Sequence, residues 1–507
     1  MLKSRKLGSA LIAMGFIACG SNNKSSSPNH PGGGAPGAGG GGAVGGSGAS
    51  GGSSGKGGGG VAGTGGKLGA GGSRFVPESC GLPQPAFCED FENPHPGGRG
   101  GDINEAEWSF ARHAHMRTGF LKRAPATSAG SWANTPTFCN APFSGIFPPG
   151  DVRICDGTDG GGFISKQLNE VFHDYEDFAI NSMRIRQPFD FAGGKGTIVF
   201  DVDAKINDGF AGHGWWNEFW ITEDPAPVPY HVAPSVGSLP RNGFGIQMVP
   251  RNPPCERSGY NEIGNYFVVQ NYRVVREELF MGQCFRSSDT KLNRFKIVIS
   301  TNDVEVWVTN SDTPSAPAVK VATATGLNLN FTRGYVHFQH SQYNAPKDGN
   351  ASPSQTFRWD NIAFDGPSFP RPRGYDIPDE LQNFSDASTT GKSFGYYLGI
   401  LNEALTPKTF RFQGVDLTDA VSATFNFSLF AAAGERLRYR FNGNAWHEFE
   451  VPSQLVNPGD ALLRALSTPV PVSELKAGEN VLETTLAAEA RLHAVIGNID
   501  LTVQPSR

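Results

Sequence analysis

The chain has 507 residues, 43 Lys and Arg against 48 Asp and Glu, and a formal net charge of −5. With so mild a charge, no basic stripe and no aromatics interleaved among Lys or Arg runs, nucleic-acid binding finds no support. No phosphate loop, dinucleotide fingerprint or nucleophile elbow is convincingly spelled, and past the first residues no apolar run is long enough to span a bilayer.

Lys3, Arg5 and Lys6 precede an apolar stretch from Leu7 to Ala18, the build of a secretory signal and too short for a permanent span. The stretch ends in Phe16-Ile17-Ala18-Cys19-Gly20, which resembles the lipobox of bacterial lipoproteins, with Phe16 where leucine is usual. The resemblance implies a signal peptide over 1–19 and lipidation of Cys19. Gly20 in place of aspartate implies release to the outer membrane, so the expected location is the cell surface, with membrane contact through the lipid anchor only. From about Pro31 to Gly72 the chain is almost entirely Gly, Ser and Ala. Such residues have nothing to bury and the most backbone entropy to lose, so 20–73 is expected to be a disordered tether. Its r.m.s. reach would be roughly 35 Å.

Residues 74–507 exceed the size at which one hydrophobic core stops growing, so two domains are expected, over 74–370 and 371–507. Cys80, Cys88, Cys139, Cys155, Cys255 and Cys284 form an even set in an exported chain, all in the first of these domains, and are expected to be disulfide-bonded. Six cysteines allow fifteen pairings; proximity along the chain favours Cys80–Cys88, Cys139–Cys155 and Cys255–Cys284. Zinc is the competing use of such cysteines, but there is no Cys-x-x-Cys pair or close Cys/His cluster.

Strand patterns recur at Thr197–Lys205, Asn217–Thr222, Phe244–Val249, Tyr266–Gln270, Arg294–Ser300, Val304–Thr309 and Tyr335–Tyr343, while long helical periodicity is missing. The 294–309 segment reads as a hairpin around a polar Ser-Thr-Asn-Asp turn. Phe87-Cys88-Glu89-Asp90-Phe91-Glu92 and Phe357-Arg358-Trp359-Asp360-Asn361-Ile362-Ala363-Phe364 resemble the opening and closing strands of concanavalin A-like jelly rolls, the domains of lectins, laminarinase-type hydrolases and some polysaccharide lyases. Pro370-Arg371-Pro372-Arg373-Gly374 then reads as a linker. Beyond it, Leu437–Phe441 leads into Asn442-Gly443, a hairpin turn dipeptide. Segments 475–483 and 499–503 resemble late strands of galactose-binding-like sandwiches, with a generic β-sandwich spacer as the alternative. The expected class is all-β, two jelly-roll-type β-sandwiches after the tether.

In Trp216-Asn217-Glu218-Phe219-Trp220, period-two geometry puts Trp216, Glu218 and Trp220 on one face. Indole rings stack on pyranose faces and a carboxylate between them accepts hydroxyl hydrogen bonds, so the strand reads as a sugar platform. The competing reading is that one of these tryptophans is core. The same alternation turns Asp201, Asp203, Gln247, His337 and Gln339 away from their apolar neighbours. If their strands share a concave sheet, these eight side chains line one groove. The leading expectation is polysaccharide binding. A polysaccharide-cleaving enzyme is the first alternative: the laminarinase motif of paired glutamates is absent, whereas Arg184, Gln247, His337 and Tyr343 supply the residue types of jelly-roll lyases. A structural or adhesive surface protein is the second. The jelly-roll resemblance also implies a structural calcium ion, with Glu92 and Asp360 in matching places, although calcium takes more oxygens than two carboxylates supply.

Overall fold

The structure, a computed structural model, describes residues 80–93, 103–114, 151–158, 164–172, 178–202, 214–226, 239–248, 260–261, 264–280, 285–286, 292–309, 316–343, 355–377, 396–399, 407–431, 436–451, 462–487 and 494–506. Cys19, the glycine-rich segment, Cys139, Asp203, Cys255 and Cys284 lie outside the described residues. Cys155, Trp216 and Tyr343 sit on strands, but their side chains are outside them as well. Gly69–Arg507 forms one compact unit.

Four large antiparallel sheets account for nearly all of the described chain. The first sheet runs, strand beside strand, Val319–Thr325, Asp303–Thr309, Asn293–Ile299, Gly196–Val202, Gln355–Phe364, Ile164–Phe172 and Asp151–Thr158. Phe87–Glu89 joins it by pairing with the end of Gln355–Phe364, Phe87 opposite Phe364 and Glu89 opposite Ile362. The opening and closing segments expected to lie side by side therefore do so. The second sheet runs Arg273–Leu279, Asn265–Gln270, Asn242–Met248, Gly214–Thr222, Arg333–Tyr343, Phe178–Ile185 and Trp108–Ala114, with Phe189–Asp190 also on Arg333–Tyr343. The 294–309 hairpin forms as expected, Ile299 opposite Val304.

Alternation explains the stacking of these two sheets. Ile198, Phe200, Val202, Phe295, Ile297 and Trp359 from the first meet Met183, Ile185, Phe219, Ile221, Val336 and Phe338 from the second in one buried cluster. Its centre is aromatic: the Phe200 ring lies 5.2 Å from Phe338 and 6.0 Å from Phe219, and Phe338 lies 5.0 Å from Trp359. Edge-to-face and offset pairs of this kind add to the stabilisation from area burial alone.

After Phe364 the sheets change. Arg373–Asp376, Ala494–Pro505, Ala420–Ala431 and Leu462–Val470 form a sheet with Tyr396–Gly399, and Lys408–Val415, Gly478–Leu486, Arg436–Phe441 and His447–Glu450 form the sheet packed on it. Phe412, Phe425, Phe427, Tyr439, Phe441 and Leu501 belong to a separate core that shares no residue with the first. Asn442 and Gly443 both take positive φ, 52° and 73°, as the dipeptide predicts. The loop is nonetheless wider than two residues, because Tyr439 pairs with His447 and the Asn442 amide donates to the Val481 carbonyl instead.

Candidate functional site

Two rungs cross the face of the second sheet that points away from the aromatic core. One places Gln247, Glu218, Gln339 and Ser182 opposite one another on successive strands. The next places Gly245, Trp220, His337, Arg184 and Ser109. Period-two alternation forces this: with Phe219, Ile221, Val336, Phe338, Met183 and Ile185 committed to the core, their neighbours must face the other way.

Glu218 is the hub. Gln247 Nε2 donates to its Oε1 at 3.1 Å, while Gln339 Nε2 and Trp220 Nε1 donate to its Oε2 at 2.5 and 3.2 Å. Burial pushes this carboxyl up from 4.5 to about 8, although the bonds from Trp220 and Gln247 pull the other way. Held protonated, it has one O–H to donate, and a half-turn of either glutamine amide presents the acceptor. One rung away, His337 Nε2 lies 2.8 Å from the Thr222 hydroxyl. Burial, with the charge of Arg184 beside it, holds that imidazole well below its usual range, so it is neutral at physiological pH. The Arg184 guanidinium sits over the Tyr335 ring at 5.4 Å from its centre.

Five of the eight residues read as a groove thus converge: Glu218, Trp220, Gln247, His337 and Gln339. They are closed off from solvent. Trp220 is 1% exposed and Glu218 2%, and His337 and Gln339 are fully buried. Trp220 lies flat across Gly245, where a Cβ would fall 2.6 Å from the indole, and reaches Phe267 on the next strand, ring centres 6.2 Å apart and nearly parallel. Glycine is what lets the ring lie there. Trp220 is therefore a packed residue of a second apolar cluster with Ala226, Phe267 and Val269, against which Leu239, Val274 and Ala465 pack. An open stacking platform at Trp220 is corrected by this packing.

Asp201 does not join the group. It lies on the first sheet, opposite Asp360, on the face away from the core. Arg294 Nε donates to its Oδ1 at 2.8 Å and Asn361 Nδ2 to its Oδ2 at 2.9 Å. The same guanidinium bonds the Cys80 carbonyl at 3.1 Å, which ties down the loop closed by the Cys80–Cys88 disulfide. Asp201 has an ion-pairing role there. Asp203 and the Trp216 side chain lie outside the described residues.

The calcium expectation meets the same chemistry. The Asp360 Oδ1 accepts the Asn361 amide, and the carboxylate opposite it already faces an arginine. Among the described residues no group of three or more His, Cys, Asp or Glu could hold a metal ion. Glu92 and Asp360 therefore do not provide the six to eight oxygens calcium takes.

Sequence reasoning did not single out Arg186, although its signal was present: Ser182, Arg184 and Arg186 alternate with core Met183 and Ile185. Its guanidinium meets Asp500 of the second sandwich at 2.6 and 2.5 Å, with Thr502 at 3.0 Å. Ser109, at the end of the Trp220 rung, donates to the same carboxylate at 3.1 Å.

No family model matches the chain, and no curated protein does. Solved structures similar to it include peanut lectin, at 12% identity and a TM-score of 0.26, covering 51% of this chain and 97% of the lectin. A legume lectin-like domain from Entamoeba histolytica is 9% identical, with a TM-score of 0.28 and coverage of 44% and 89%. The catalytic domain of a GH131 β-glucanase from Podospora anserina is 9% identical, with a TM-score of 0.24 and coverage of 49% and 98%. At these identities and scores the likenesses bear on neither site nor activity, and the sandwich architecture rests on the strand pairing itself.

Proposed function

We propose that the chain is a glycan-binding protein of a bacterial cell surface, anchored by lipid at Cys19 and binding a polysaccharide through the face that carries Glu218. The convergence of two amides and an indole on one carboxylate supports this reading. Burying a carboxyl and its polar neighbours costs free energy that a plain structural sheet avoids with apolar residues. Carboxyl and amide groups are also the groups that recognise sugar hydroxyls. Glu218, Gln247, Gln339 and His337 supply the hydrogen bonds, and Trp216, on the same strand, is the candidate stacking ring. Binding without cleavage is preferred because hydrolysis needs two carboxyls flanking the bond, while the partners of Glu218 are an indole and two amides.

The test is binding of residues 74–507 to a panel of a neutral β-glucan, a mannan, a galactan and an alginate, with reducing-end and unsaturated-uronate assays on the same samples. Binding to one polymer, weakened in Glu218→Gln and without product, is the expected result. Product that disappears in Glu218→Gln or His337→Ala would replace binding by catalysis; silence across the panel would favour a structural role. Fatty-acid labelling of the full chain, lost in Cys19→Ala, checks the anchor.

A further inference from the structure

The polar face of the second sheet is closed in part by the second sandwich. Ala465, on the strand Leu462–Val470, packs against the Trp220 cluster, and the Trp220 indole is one of the donors to Glu218. The rung through Trp220, His337, Arg184 and Ser109 ends on Asp500, the residue that also grips Arg186. Among the described residues the contacts between the sandwiches include polar ones, the Arg186–Asp500 pair, Arg186 to Asp376 and Thr502, and Ser109 to Asp500, together with Gly374 against Arg186 and the small Ala465 side chain, while Arg371 of the connecting stretch meets Glu107. The two apolar cores are separate. One stretch of chain, 365–372, joins the last strand of the first sandwich to the first strand of the second. Contacts of this kind between two self-contained cores permit relative motion.

We propose that the second sandwich is a lid: seated through Ala465 on the apolar cluster that contains Trp220 and latched by Arg186 to Asp500, it closes the face that carries Glu218, and glycan enters when it swings off about 365–372. The inference rests on the glycan-binding reading of that face. It adds a closed state in which the site is complete but covered. A ligand that binds only the open state has its affinity reduced by the fraction of molecules that are open. Loosening the latch should therefore strengthen binding, whereas a variant that damages the site should weaken it.

The experiment uses the full chain and two variants. Ala465→Glu puts a charge where the lid meets the Trp220 cluster, and Asp500→Asn removes the charge that holds Arg186. Hydrogen–deuterium exchange reports opening without any ligand, and the same panel of four polysaccharides reports binding. Exchange in strands 214–222 and 333–343 should rise at least about tenfold in both variants, with strands 293–299 and 436–441 unchanged, and apparent affinity should rise by a similar factor. Unchanged exchange in both variants overturns the lid, as does faster exchange with unaltered or weaker binding of a polymer that the wild type binds. Faster exchange with no binding by any of the three proteins instead sinks the glycan reading, and the lid loses its role with it. If Asp500→Asn unsettles the second core, seen as faster exchange in 436–441, Ala465→Glu decides alone, since its contact lies outside both cores.

Discussion

Arg186 and Asp500 meet with the two terminal nitrogens of the guanidinium, Nη1 and Nη2, on the two oxygens of the carboxylate, at 2.6 and 2.5 Å, and neither side chain is exposed. The arginine comes from the first sandwich and the aspartate from the second. Its approach depends on Gly374: a Cβ there would lie 1.9 Å from Arg186 Nε. Gly374→Ala should therefore displace the guanidinium and cost about 1–3 kcal/mol, the usual penalty for overpacking. Thermal denaturation reads it, and an unshifted midpoint would mean that the arginine has another place to go.

Trp220 should behave as a packed residue. Its ring is buried between Gly245 and Phe267, so Trp220→Ala leaves a cavity and should cost about 3–5 kcal/mol of stability. Urea denaturation measures it. A loss under about 1 kcal/mol would return Trp220 to the role of a ligand-facing ring.

Stability should fall as pH rises through the Glu218 window. The folded protein keeps this carboxyl protonated up to about 8, because of burial, while the unfolded chain releases the proton near 4.5. Between those values the native state binds more protons, so the contribution is complete below 4.5 and is lost as pH passes 8. Glu89, raised to about 7 by burial, adds a slope of the same sign. The informative quantity is thus the difference between wild type and Glu218→Gln in denaturant titrations across the window. Wild type should lose stability relative to Glu218→Gln as pH rises through this window, and a difference that stays flat would show that the carboxyl is already ionised in the fold.

The Cys80–Cys88 bridge closes a short loop, with a sequence separation of 8, and ties the loop under Arg294 to the strand that pairs with Gln355–Phe364. Replacing both cysteines by serine should cost about 2–3 kcal/mol through the freed unfolded chain. Midpoints compared with and without reductant give the number: wild type under reductant should match the double variant, and a reductant effect that persists in the variant would come from other cysteines.

Much of the architecture was legible because alternation is local. Phe200 and Val202, Phe219 and Ile221, Val336 and Phe338 could be assigned to an apolar face from spacing alone, and with them went the outward turn of Glu218, Gln247, His337 and Gln339. Phe87 beside Phe364 was also readable, as a resemblance between the two ends of the first sandwich. The Asn442-Gly443 turn kept its backbone chemistry but not its length, since the Val481 carbonyl that claims the Asn442 amide is distant in sequence.

Alternation states that a side chain leaves the core of its own sheet. It is silent on which sheet that is and on what covers the far face. Asp201 has the same local pattern as Glu218, yet strand order puts it on the opposite sheet, where Arg294 and Asn361 hold it. Trp220 reads as an exposed ring until Gly245 is placed beside it, Phe267 beyond, and Ala465 of another sandwich against that cluster. The sequence by itself determined the strands, their inward faces and the group of polar residues on the outer one, because each depends on neighbours one or two positions away. Only the tertiary structure decided that this group is buried and that Arg186 meets Asp500, because burial depends on strands that are distant in sequence, 314 positions for that pair, whose meeting no local pattern encodes.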